Sequence, residues 1–111
     1  VRDDGYIGQR YALSGEEKSI YKQEDNNAHG LIILSNYLLT AEKRKEDIRD
    51  IDKVLLSIKN ASQFAIKNYY RPEINLFHST TSIHESALEE GFSCWTNFAY
   101  LKAFTLVSRV N

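Results

Sequence analysis

Two runs of this chain, LIILSNYLL at residues 31–39 and FSCWTNFAYLKAF at 92–104, are apolar round nearly the whole girth of a helix. Helices of that kind must be covered on several faces. The chain has 111 residues, enough for one domain. Short chains bury a smaller share of their surface than long ones. Three helices of this length therefore cannot cover each other fully. The two runs predict a single partial domain, an internal piece of a longer fold, or an assembly that supplies the missing layers. The lack of any Met, even at position 1, agrees with an internal piece.

The remaining chain fixes the order of elements. Tyr6, Ile7, Tyr11 and Leu13 stand among Gly5, Gly8 and Gly15, which predicts a small N-terminal β-hairpin turning near SGEE. Asp25, Asn26 or Asn27 is placed to cap a first helix over about Asn26–Thr40. AEKRKED is a charged, solvated connection. From Asp47, the positions Ile48, Ile51, Val54, Leu55, Ile58, Ala61 and Ala65 recur at three- and four-residue steps. They predict an amphipathic helix to about Asn68. Pro72 marks a loop, INLFHST reads as a short extended piece, and a third helix is expected over Glu89–Val110. The fold class is mainly α, with about three long helices.

Formal net charge is −1, so no basic surface advertises nucleic acid or an anionic membrane. No apolar run approaches the roughly 20 residues of a membrane span. The N-terminus is polar and unlike a signal peptide. The single cysteine, Cys94, excludes an internal disulfide framework and fits a reducing, cytoplasmic setting. No pair of histidines has ligand spacing, so no metal is expected, and no cofactor is implied.

Two polar clusters precede the two apolar helices: YKQEDNNAHG and TTSIHESALEEG. If both helices are inner helices of a toroid, the loops leading into them converge on one mouth. Paired carboxylates facing a concave mouth are the usual equipment of glycoside hydrolysis. The arrangement QED at 23–25, an intervening amphipathic helix, then SIHE at 82–85 opening an aromatic-rich helix, resembles the glucoamylase and trehalase family of glycoside hydrolases. The resemblance covers essentially the whole chain. HESALEEGFSCWTNFAYLKAF is also similar to the glucoamylase-like region of phosphorylase kinase regulatory subunits.

That resemblance implies a segment of an (α/α)6 toroid. It places Glu85 as the general acid, and Gln23 and Asp25 as residues that contact the sugar. It implies an inverting reaction on an α-glucoside or α-glucan, with the general base elsewhere in a longer chain, so that this segment alone is inactive. Fungal members usually carry Trp before the acid and Glu after it. His84 and Ser86 stand there in this chain, and His84 is placed to bond a sugar hydroxyl. The alternative is a non-catalytic glucoamylase-like module that binds carbohydrate or protein. A plain helical interaction domain is a third reading.

The neighbouring residues have plainer expectations. Glu89 and Glu90 are expected in the first turn of the third helix, where the helix dipole favours carboxylates. Trp95, Phe98 and Phe104 are expected in the core, Cys94 as a buried small hydrophobe, and His29 and His78 in structural roles. The isolated chain is expected to self-associate through its apolar helices.

Overall fold

The structure, a computed structural model, describes residues 1–19, 23–81 and 88–110. It is mainly helical. Helices α1 (Asn26–Lys43) and α2 (Ile51–Asn68) are followed by short strands β1 (Tyr70–Arg71), β2 (Leu76–Phe77), β3 (Ser79–Thr81) and β4 (Leu88–Gly91), then α3 (Cys94–Val107). β1 pairs with β2, and β3 with β4, both antiparallel. α1 packs against both α3 and α2. The radius of gyration is 14.4 Å, above the roughly 13 Å of a compact chain this long. The smallest extent, 21 Å, is about two helix diameters.

α1 begins at the expected Asn26. It ends in a Schellman closure: Glu46 N–H donates to Ala41 O (2.9 Å) and Lys45 N–H to Glu42 O (3.1 Å). Lys45 takes the left-handed position at φ 56°, which usually falls to glycine. α2 starts at Ile51 rather than Asp47, after a second turn at Arg49 and Asp50. Ile48 nevertheless packs on the core, as its place in the apolar pattern requires.

The core lies along α1. Its inner stripe of Ala28, Leu31 and Leu38 meets Ile58, Ala61 and Ala65 of α2 and Tyr100 and Ala103 of α3 in one buried cluster. The small residues let helix backbones come close. Phe77 of β2 stacks on Tyr100, with centroids 4.1 Å apart and planes at 11°. This fixes the β1–β2 hairpin onto α3.

Three expectations are corrected here. The N-terminal hairpin turns near SGEE as expected, but among the described residues its strands reduce to one antiparallel bridge, Tyr11 with Glu17. Side chains take the backbone donors that a ladder needs. Ile7 N–H donates to Asn27 Oδ1 (2.8 Å), Gly8 N–H to Tyr11 OH (2.7 Å) and Gln9 N–H to Ser19 Oγ (2.7 Å). Second, Glu89 and Glu90 lie in β4, not in a helix turn. Gly91 at φ +152° and the extended Ser93 hold off the helix until Cys94.

The third correction concerns α3. Cys94 is exposed, and Trp95 and Phe98 are 52% and 69% exposed. Only Phe104 joins the core, partly buried. The inward stripe of α3 is Thr96, Tyr100, Ala103 and Leu106, so the large residues at 95, 98 and 101 fall on the opposite side. Ile33 and Tyr37 of α1 are likewise exposed. These apolar faces are the uncovered sides that the two runs led us to expect.

Candidate active site

The QED turn sits at the start of α1, and its three residues have three different surroundings. Gln23 N–H donates to the Tyr6 hydroxyl at 3.4 Å. Glu24 is 4% exposed. Its carboxylate accepts from Thr80 N–H (2.9 Å) and Thr80 Oγ1–H (2.8 Å), and its backbone carbonyl accepts from the Tyr100 hydroxyl. A buried carboxylate needs such donors, because burial without them costs several kcal/mol. Burial in turn pushes the Tyr100 hydroxyl well above its ordinary range.

Asp25 occupies the cap position of α1, but its side chain makes no cap bond. Trp95 Nε1–H donates to Asp25 Oδ2 at 2.8 Å. His29 Nε2, one helical turn along, lies 3.2 Å from the same oxygen. The His29 and Trp95 rings are 6.0 Å apart and tilted by 51°. Burial raises the Asp25 carboxyl, but the bonds from His29 and Trp95 outweigh it and leave it below its ordinary value. The Asp25 bond raises His29 against the opposing effect of burial. The pair therefore stabilises the carboxylate and the imidazolium together. His29, expected in a structural role, bonds Asp25 here.

Asn27 seals the other side of the same turn. It is fully buried. Its Oδ1 accepts from Ile7 N–H, and its Nδ2 donates to Gly5 O (3.1 Å) and Ala61 O (3.0 Å). One side chain thus ties the N-terminal segment, α1 and α2 together. Gly5 permits this. It sits at φ +99°, and a Cβ there would run into the Asn60 carbonyl oxygen.

Glu85 and His84 lie outside the described residues, so their positions relative to Gln23 and Asp25 are not described. The described chain on either side does meet the QED turn: Thr80 bonds Glu24, and Trp95 bonds Asp25. Two residues were missed by sequence reasoning. Glu24 was passed over between Gln23 and Asp25; the hydroxyl run STT at 79–81 was the only hint of donors for a third carboxylate. Trp95 was assigned to the core because its neighbours in sequence are apolar. Among the described residues, no helix is long and apolar enough to cross a membrane. No protein family, curated protein or solved structure matches this chain.

Proposed function

We propose that this chain is the part of a glucoamylase-like glycoside hydrolase domain that carries the general acid, Glu85, and the sugar-contacting residues Gln23, Asp25 and His84. One juxtaposition supports the reading. The QED turn bonds Thr80, just before the Glu85 segment, and Trp95, just after it. The turn that opens α1 thus meets the first turn of α3 and the strand β3. The uncovered apolar residues Ile33 and Tyr37 of α1 and Phe98 and Leu101 of α3 suit inner helices of an (α/α)6 toroid, which further helices would cover.

In this reading a protonated Glu85 gives its proton to the glycosidic oxygen of an α-glucoside. A base elsewhere in the longer chain activates water, and the anomeric centre inverts. The 111-residue segment alone is inactive and self-associates through its exposed faces, which light scattering at tens of micromolar tests. Glu85→Gln in the full-length parent keeps shape but cannot deliver the proton. Its hydrolysis of natural glucosides falls by about 10²–10⁴-fold, and that of an activated aryl glucoside falls less. A variant with near-normal turnover on the natural substrate removes Glu85 from the mechanism. The non-catalytic, carbohydrate-binding reading is favoured by the exposed Trp95 held at the same mouth, and it predicts sugar binding without turnover by the parent.

A further inference from the structure

Trp95 differs from the other large residues on the outer side of α3. Phe98 and Leu101 are more exposed and carry no polar group. The indole of Trp95 is fastened at its polar edge by the 2.8 Å bond to Asp25 Oδ2, while half its surface stays open. His29 stands beside it, bonded to the same carboxylate oxygen. The indole is thereby held by its polar edge, half open to solvent, next to a carboxylate and an imidazole. A ring fixed in advance loses little freedom when a ligand arrives.

We propose that Trp95 is the platform on which this mouth stacks a pyranose ring, with Asp25 as the residue that positions it. A pyranose offers one face of C–H bonds and an edge of hydroxyls. The C–H face lies on the indole, and the hydroxyl edge meets the carboxylate and imidazole. The inference rests on the sugar-site reading above but not on hydrolysis, because none of its residues transfers a proton to the substrate.

Trp95 is the only tryptophan, so emission excited at wavelengths that tyrosine does not absorb reports on this residue alone. Maltotriose titrated into the chain to about 10 mM, some ten times a millimolar Kd, gives a saturable change in emission; glycerol gives none. Trp95→Ala, followed by NMR titration, binds maltotriose at least about tenfold more weakly, with unchanged helical circular dichroism. Asp25→Ala shifts the emission before any sugar is added and weakens binding severalfold. Asp25→Asn, which keeps an oxygen for the indole N–H, restores much of both.

Emission indifferent to maltotriose, or a Trp95→Ala variant that binds as tightly as the parent, overturns the platform. Either result does so whatever the hydrolysis assay returns. Conversely, a responsive Trp95 in a parent that never hydrolyses α-glucosides retains the platform and removes the enzyme.

Discussion

Asn27 and Asp25 flank the same turn of chain, yet they do opposite work. Asn27 is sealed and meets three backbone groups from two other segments. Asp25 is partly open and meets two side chains that are themselves half in solvent. The inner joint holds backbone that no ladder satisfies. The outer contact joins side chains that stay partly open to solvent. Polar groups of similar size therefore differ in effect because of what is stranded when they are removed.

The largest expected effect is at the joint. Asn27→Ala strands the Ile7 N–H and the Gly5 carbonyl in the interior. At roughly 1–3 kcal/mol for each orphaned group, plus a cavity, the loss is about 3–5 kcal/mol, a large part of a typical domain's 5–15. Asn27→Asp keeps the volume and the bond from Ile7, but turns an acceptor toward the Gly5 and Ala61 carbonyls. It is at least as damaging in urea unfolding. An Asp variant as stable as wild type refutes the role given to Nδ2.

Gly5→Ala comes next. It combines an unfavourable φ with a collision against the Asn60 carbonyl. We expect a loss of about 2–3 kcal/mol, reported by a lower Tm and by exposure of Tyr6 in near-ultraviolet dichroism.

The Asp25 contact is milder. Asp25→Ala costs about 1 kcal/mol at most, the scale of a partly exposed ion pair and one hydrogen bond. A loss comparable with that of Asn27→Ala erases the distinction between outer contact and joint.

The smallest effect is the pH dependence of the pair. His29 has a raised folded value, so its contribution is full below 6.5 and fades as pH rises through that raised value. Asp25 has a lowered one, so its contribution is full above 3.8 and fades as pH falls through that lowered value. The stability difference between wild type and His29→Gln is thus widest between these limits, at a few tenths of a kcal/mol. A difference that grows above pH 8 reverses the sign argued here.

The helices were the legible part of the fold. α2 shows a three-and-four spacing from Ile51 to Ala65, and local periodicity of that length survives tertiary packing. Asn26 was legible as the start of α1. The N-terminal turn was not legible, because alternating Tyr and Ile beside glycines also fits a segment whose donors go to Asn27, Tyr11 and Ser19. Nor was the late start of α3: Leu88–Gly91 has helix-forming carboxylates, and only the pairing with β3 makes it a strand. Asp25 could be picked out as a polar residue opening α1. Its partner Trp95 could not, since hydrophobicity says nothing about which side of a helix is covered.

The packing of α1 on α3 also bears on the order in which the chain folds. α1 and α2 are neighbours in sequence and can pair across one short connection. α3 reaches α1 only after α2 and two hairpins have been crossed, as the Glu24–Tyr100 and Asp25–Trp95 bonds record. Closing that long loop is entropically unfavourable until its contacts are made. The α1–α2 pair should therefore protect its amides from exchange first during refolding. The Asp25–Trp95 contact, which requires both ends of the loop, should be the last to form.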